Sequence, residues 1–301
     1  MLPSDLIERF RISIGSGFHL QDIDPGETCG LDKERAKTML ESCVARLSAL
    51  QERLYADGHW AVLVVLQGMD TSGKDGVIEH VMSGINPQGC EVHSFKAPSE
   101  QELAHDFLWR TAMALPARGH IGVFNRSYYE ETIVVRVHPS LLERQRLPQK
   151  LFTDDIWKGR FEDISNFEHH LARNGVVPLK FFLHISREEQ LKRLVARIDD
   201  PDKRWKFSLG DVEERNLWDK YHHAYEETIR NTSTSYAPWY VVPANHKWFT
   251  RLMVAATLIE LLEKLDLRFP TLDGVSLRQL QEARVALLQG SGERKKAEAD
   301  L

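Results

Sequence analysis

The sequence predicts an α/β protein built on a five-stranded parallel sheet with helices on both faces. One basis is residues 61–66, Ala-Val-Leu-Val-Val-Leu, a continuous apolar run that feeds a glycine-rich turn and then a helical pattern. Strands buried on both faces, as in parallel sheets, have this character. The second is that further short apolar runs at 90–95, 121–124, 178–185 and 239–242 are each separated by at least one helical stretch, which makes every connection a crossover.

In chain order, residues 1–30 read as irregular, with turn residues Asp22, Asp24, Pro25 and Gly26. Asp32 is placed to cap a helix whose apolar positions Ala36, Met39, Leu40, Cys43, Leu47, Leu50 and Leu54 recur at three-and-four spacing, and Asp57-Gly58 stops it. After the first strand and its turn, a helix over 77–83 ends at Asn86-Pro-Gln-Gly89, and Ser99 caps a helix running to Leu115-Pro116. The fourth strand leads into a helix over 188–198 bearing Lys192, Arg193 and Arg197, then Asp199-Asp-Pro-Asp202 and Lys203-Arg-Trp-Lys206. Basic groups beside such a turn suit a movable lid, about 187–210, that brings charge over a bound anion; the interspersed acids Glu188, Glu189, Asp199, Asp200 and Asp202 equally suit a solvated face. Everything after Pro270, a short helix at 276–289 and a charged tail, reads as an appendage over 271–301 to a main domain of 1–270.

Ligands of open parallel sheets sit beyond the carboxyl ends of the strands. Three segments meet that edge: Gly68-Met69-Asp70-Thr71-Ser72-Gly73-Lys74-Asp75-Gly76, Lys96-Ala-Pro98 and Asn125-Arg126-Ser127. The first fits the phosphate-loop spacing G-x-x-x-x-G-K-[S/T], in which backbone N–H groups and one ammonium are aimed at a phosphate chain, except that Asp75 replaces the hydroxyl residue. That hydroxyl normally ligates magnesium. A carboxylate among the glycines, Asp70, repels phosphate unless a divalent cation sits between them, so the loop calls for a metal, with Asp70 as ligand and Asp75 as a second candidate. Arg126, a cation directly after a buried strand, is placed to stabilise a transferring phosphoryl group; a salt bridge to Glu130 or Glu131 is the plainer use.

Of 301 residues, 42% are hydrophobic and 28% charged, enough for a full core. A net charge of −5 and a pI near 6.2 argue against a general nucleic-acid binder. Cys29, Cys43 and Cys90 form no paired spacing, which fits a reducing compartment, and no stretch approaches a membrane span, so the cytoplasm is expected. The pairs His169-His170 and His222-His223 lack metal-ligand spacing. Trp205, Trp218, Tyr221, Tyr225, Tyr236 and Trp239 suit packing, with one or two able to stack on a base.

With these residues in view the chain resembles the family-2 polyphosphate kinases. The matching stretches are Leu66-Gln-Gly-Met-Asp-Thr-Ser-Gly-Lys-Asp-Gly76, Asn86-Pro-Gln-Gly89, Ser94-Phe-Lys-Ala-Pro-Ser99, Phe107-Leu-Trp-Arg110, Phe124-Asn-Arg-Ser-Tyr-Tyr-Glu130, Asp200-Pro201 with Trp205-Lys206, and Ala237-Pro-Trp239. They span roughly residues 20 to 268 in family order. The resemblance implies a P-loop, thymidylate-kinase-like fold with a helical lid, assembled as a homodimer or homotetramer, and reversible transfer of the terminal phosphate of inorganic polyphosphate to AMP or ADP, ATP being a product. It implies Asp70, Lys74 and Arg126 as catalytic, and Gly68, Met69, Thr71, Ser72, Gly73, Asp75 and Gly76 as phosphate-binding. Lys96, Arg193, Arg197, Lys203 and Lys206 would line the polyanion channel and lid. Asn125, Tyr129 and Glu130 would face the nucleotide, the order Asn125-Arg-Ser-Tyr-Tyr-Glu130 resembling the branch that accepts both AMP and ADP. Mg2+, or Mn2+, would be the cofactor, with neither nucleic acid nor membrane as partner. An ATP-dependent nucleoside monophosphate kinase and a non-catalytic nucleotide switch are the alternatives that share the loop.

Overall fold

Six runs of extended chain form one sheet: β1 (Arg11–Ile12), β2 (Ala61–Gln67), β3 (Cys90–Ser94), β4 (Ile121–Asn125), β5 (Val176–His184) and β6 (Trp239–Pro243). The computed structural model describes residues 4–290. Every residue of β2 is buried, as its apolar run predicts. The sheet order is β1-β6-β5-β2-β4-β3. Neighbours are parallel except β1, which pairs antiparallel with β6 through Arg11↔Tyr240 and Ile12↔Trp239.

The sheet is therefore mixed and six-stranded rather than five-stranded and parallel. A two-residue strand leaves no periodic trace in sequence, so β1 was invisible there. For the same reason residues 1–30 are less irregular than expected: they hold β1 and a short helix, α1 (Ser4–Glu8), with Ile7 and Phe10 in the core.

The helices continue with α2 (Lys33–Asp57), α3 (Lys74–Val81), α4 (Glu100–Leu103), α5 (Trp109–Ala112), α6 (Glu130–Val137), α7 (Ser140–Glu143), α8 (Ile156–Arg173), α9 (Arg187–Asp199), α10 (Gly210–Asn216), α11 (Trp218–Thr232), α12 (Lys247–Lys264) and α13 (Gly274–Gly290). Asp32 caps α2 by accepting from the Arg35 N–H at 2.8 Å, and Gly58, at φ +66°, ends it. Leu47 and Leu54 of α2 are fully buried, each contributing about 1.5–3 kcal/mol. On one side α12 packs with α2, α3 and α1; the other grouping joins α6, α8 and α11, with α8 against β5.

The single helix expected over 99–115 is two four-residue pieces, α4 and α5. Ser99 forms its capping box with Glu102, but Asp106 accepts from the Leu108 N–H at 3.0 Å, a local bond that competes with helix continuation. The chain divides into two units, one ending at Leu267 and one starting at Arg268 and containing α13. Among the described residues no helix is long and apolar enough to cross a membrane.

Candidate active site

Strand β2 lies between β4 and β5, where the chain's direction of travel across the sheet reverses. This is where an open parallel sheet opens a crevice, and the loop from Gly68 to Gly73 fills its mouth. A Cβ on Gly68 would stand 2.6 Å from Ser72 Oγ and 3.0 Å from the Leu183 carbonyl oxygen, so only glycine fits. Thr71 sits at φ +64°, costly for a β-branched residue and typical of a functional loop. Gly73 precedes α3 at φ +109° and leaves its first N–H groups without a side-chain cap.

Lys74, the first residue of α3, is buried and donates from Nζ to the Gly68 carbonyl at 2.6 Å and the Met69 carbonyl at 3.2 Å. Burial, followed by the nearby Arg126 cation, pulls its pKa down to about 8 against the opposing pull of Asp70, Glu130 and Asp75. Thr71 Oγ1 and Ser72 Oγ are buried without a hydrogen-bond partner among the described residues. A depressed ammonium, orphan hydroxyls and uncapped helix N–H groups are what an anion would satisfy.

Arg126 joins the loop to the next strand end. It sits at φ +63°, its N–H bound to the Leu66 carbonyl at 3.1 Å. Nη2 donates to Asp70 Oδ1 at 2.8 Å and Nη1 to Glu130 Oε2 at 3.0 Å. Glu130 is the chief cause of a guanidinium pKa raised above its ordinary value, with Asp70 adding to it against burial. The plainer expectation for Arg126, a salt bridge to Glu130, is met, and the same geometry keeps its guanidinium on the ligand edge beside Asp70. Asn125 Nδ2 donates to Asp75 Oδ1 at 2.8 Å, fixing the acid that replaces the loop's usual hydroxyl.

Beyond Arg126, a cleft of about 420 Å³ opens between the β3 and β4 ends and α6, bounded by Lys96, Phe107, Arg110, Glu130 and Glu131. Arg110 donates to the Lys96 carbonyl at 2.8 Å and stacks over Phe95. Glu131 is ion-paired with Arg160, Nε standing 3.0 Å from Oε1, and its Oε2 accepts from Gln145 Nε2 at 2.7 Å.

Other expected site residues lie elsewhere. Tyr129 does not face the cleft. It is fully buried, with its hydroxyl donating to Glu168 Oε1 at 2.7 Å and accepting from Lys180 at 2.9 Å; it starts the turn before α6 pointing into the core rather than outward. Arg193 is also buried, and its guanidinium binds the carbonyls of Thr71 (2.9 Å), Ser72 (3.2 Å), Ala244 (2.6 Å) and Asn245 (2.9 Å) and the Glu189 carboxylate (2.9 Å). With its donors so committed, it clamps the phosphate loop from behind. In the segment expected as a lid, Arg197 pairs with Asp211 at 3.1 Å, Lys203 with Asp200, and Lys206 lies over the Trp205 ring.

Sequence reasoning passed over Gln67 and Gln190, and read Tyr225 only among the aromatics suited to packing or base stacking. With its amide oriented to suit its neighbours, Gln67 donates to Glu130 Oε1 at 3.0 Å and accepts from Ser127 at 3.1 Å; a polar residue closing an all-apolar strand was the available signal. Gln190 holds the Asp70 carbonyl at 3.3 Å and accepts from Arg215 at 2.8 Å. Tyr225 is buried with its hydroxyl against the Gly68 backbone, and burial is the main cause of a phenol pKa pushed well up; nothing in the spacing of α11 marks it.

The donor set suits a divalent cation held largely by its substrates. Among the described residues there is no cluster of three or more His, Cys, Asp or Glu that could hold a metal, whereas Asp70 offers a part-exposed carboxylate at the mouth of an anion cradle. Magnesium keeps waters and takes one or two carboxylates plus phosphate oxygens, and Asp70 is a carboxylate placed for that use.

The family model described as Polyphosphate kinase 2 matches residues 30–270. The chain is 51% identical over 258 residues to the ADP-polyphosphate phosphotransferase of Rhodopseudomonas palustris, covering 85% of this chain and 89% of the relative. It is 47% identical over 266 residues to the AMP/ADP-polyphosphate phosphotransferase of Meiothermus ruber, covering 88% and 96%. The crystal structure of Polyphosphate Kinase 2 from Arthrobacter aurescens TC1 superposes with a TM-score of 0.83 at 41% identity, over 92% of this chain and 96% of that one. A strand-edge phosphate loop, a bridging arginine and a match across most of the chain agree: the protein belongs to the polyphosphate kinase 2 family.

Proposed function

We propose that this protein is an enzyme that moves the terminal phosphoryl group of inorganic polyphosphate to AMP and to ADP, reversibly, by direct in-line transfer. The observation that carries the reading is Arg126, whose two η nitrogens reach Asp70 of the phosphate loop and Glu130 of the neighbouring cleft. The loop suits the polymer, the cleft suits a nucleotide, and one guanidinium stands where the two would meet.

The reaction needs alignment and charge neutralisation more than proton removal. A phosphate oxygen of the nucleotide, already anionic at neutral pH, attacks the terminal phosphorus; the bond to the bridging oxygen breaks, and the shortened chain leaves as an oxyanion. The amides of the loop and the Lys74 ammonium hold the donor, Arg126 offsets charge on the group in flight, and Lys96 and Arg110 flank the acceptor. Magnesium, with manganese as substitute, supplies charge neutralisation of the phosphate oxygens when bound, with Asp70 as its protein ligand.

The same reading takes residues 1–270 as the kinase domain, 187–210 as its lid and 271–301 as an appendage. It also takes a homodimer or homotetramer in the cytoplasm as the working form, with ATP formed from ADP. The test is purified protein with long-chain polyphosphate, magnesium and either AMP or ADP, products resolved by chromatography. Turnover requiring ATP as donor, or a labelled phosphoenzyme trapped during turnover, overturns it.

A further inference from the structure

A second cavity, of about 640 Å³, lies apart from the cleft, and none of its residues enters the chemistry above. Its walls come from the chain ahead of α2 (Asp24), from the end of β5 and the turn into α9 (His184, Ser186), and from α11 (Trp218, His222, Glu226). Two imidazoles meet in it. His184 is 4% exposed, and its ring centre lies 5.6 Å from that of His222, the planes tilted by 52°. Among the described residues His184 Nδ1 and His222 Nε2 are both buried without a hydrogen-bond partner, and leaving such a group unsatisfied costs about 1–3 kcal/mol. The two come from elements far apart in sequence, so no ligand spacing announced them.

The idle nitrogen of His184 is a lone pair. The Ile23 backbone is a hydrogen-bond partner of the ring; since Nδ1 has none, that bond falls to Nε2 and leaves Nδ1 basic. An imidazole whose other N–H is spent on a main-chain carbonyl is in the state that ligates a metal. Burial is the first cause holding both rings neutral: it lowers the His184 pKa to about 4, with His222 adding to it against Ile23 and Asp24, and lowers that of His222 against Asp219 and Glu226. A neutral ring does not repel a cation. The lining also carries two carboxylates, Asp24 and Glu226, against one cation, Arg187.

We propose that His184 Nδ1 and His222 Nε2 form a two-histidine site for a divalent ion of the zinc class, water completing its shell. Zinc binds imidazole nitrogen at about 2.0–2.1 Å, which puts the centres of two rings on one ion roughly 5–6 Å apart, and the observed 5.6 Å falls inside that span. Among the described residues no third His, Cys, Asp or Glu joins them in a closed cluster, so the ion keeps open positions. Magnesium takes oxygen ligands, so this site is chemically separate from Asp70. Ser186, two residues past His184, caps α9 by accepting from the Glu189 N–H at 3.2 Å, and Tyr225 of α11 keeps its hydroxyl against the Gly68 backbone. An ion shared by β5 and α11 therefore fastens together the roots of two helices that reach the phosphate loop, and stabilises the fold.

The full chain, freed of polyphosphate because that polymer would sequester the ion, is titrated with ZnCl2 by calorimetry and followed through thermal unfolding, and zinc-edge X-ray absorption counts the imidazoles. The parent should take up one zinc saturably, with two imidazole nitrogens in its shell and a melting temperature that rises with zinc concentration. His222→Phe, which keeps a ring beside Trp218, and His184→Gln should each weaken uptake at least about tenfold and lose the thermal shift. MgCl2 should not displace the ion, and His169→Ala, a change outside the cavity, should leave affinity and shift as they were. No saturable uptake by the parent, the mark of a cavity that holds water only, or parental affinity in His222→Phe overturns the site. Phosphoryl transfer stands in either case.

Discussion

Breaking the buried pair Lys180–Glu168 should destabilise the protein far more than removing both partners. Both side chains are fully buried, with Lys180 Nζ 2.7 Å from Glu168 Oε2, 2.9 Å from Tyr129 Oη and 2.8 Å from the Thr232 carbonyl. The second Glu168 oxygen accepts from Tyr128 at 2.8 Å and from Tyr129 at 2.7 Å. Burial lowers the Lys180 pKa against the pull of Glu168, and raises both tyrosines well above their ordinary value. In Lys180→Met the carboxylate keeps its tyrosine donors but loses its counter-charge, at a cost of about 3–5 kcal/mol. That is a large share of a stability of about 5–15 kcal/mol. Lys180→Met with Glu168→Gln removes both charges, and the measured loss should fall below that of Lys180→Met alone, far short of the sum of the singles. Urea unfolding of the four proteins, compared at equal m-values, measures this. A single-variant cost under about 1 kcal/mol, or additive losses, would show that the pair is not carrying the charge balance described.

Three other outcomes follow from the geometry. Arg126→Ala should lower kcat about 10²- to 10³-fold by removing one charge-stabilising donor pair, and Arg126→Lys should recover little of it, because one ammonium cannot replace the two-ended fork; steady-state rates with saturating substrates check this, and near-parent activity in either variant counts against the role. Gly68→Ala places its methyl against Ser72 Oγ and the Leu183 carbonyl, which should cost about 1–3 kcal/mol and depress kcat/KM together with the melting temperature; unchanged values in both would contradict the close approach. His184, buried at the end of β5, is held neutral by burial first and by His222 second, with its pKa near 4 against about 6.5 when unfolded. Between those values the unfolded chain binds more protons, so stability is full above about pH 6.5 and falls by about 3 kcal/mol toward pH 4; His184→Gln should flatten that slope in urea titrations, and identical slopes refute it.

What the sequence disclosed was whatever local chemistry dictates. The all-apolar run of β2, the cap at Asp32, the capping box at Ser99 and the glycines of the phosphate loop each follow from a few adjacent residues, and the structure bears them out. Side-chain direction and distant partners were not legible. Tyr129 and Glu130 are neighbours, yet one faces Glu168 in the core and the other faces Arg126; at the start of a helix consecutive side chains diverge, and no periodicity says which is inward. Arg193 read as a lid cation because its carbonyl partners lie about fifty and one hundred and twenty residues away. A strand as short as β1 is defined only by the β6 edge it meets.

The segment from Asn125 to Tyr129 shows why a strained arginine can be kept in place. Asn125 reaches to Asp75, Arg126 to Asp70 and Glu130, Ser127 to Gln67, and Tyr128 and Tyr129 to Glu168. Five successive residues are thus anchored in four directions, to the phosphate loop, the cleft wall, the end of β2 and the core. A left-handed non-glycine residue costs about 1–3 kcal/mol and persists only where its surroundings over-determine it; here each anchor fixes the backbone on one side of Arg126 or the other. The buried Lys180–Glu168 pair therefore supports Arg126 from a distance: it holds the far end of the segment whose near end sets the guanidinium between the two carboxylates. The strain at Arg126 and the charge buried behind it are two parts of one arrangement, in which the core fixes the direction of a side chain that, in the role proposed for Arg126, the substrates would otherwise have to order at the moment of reaction.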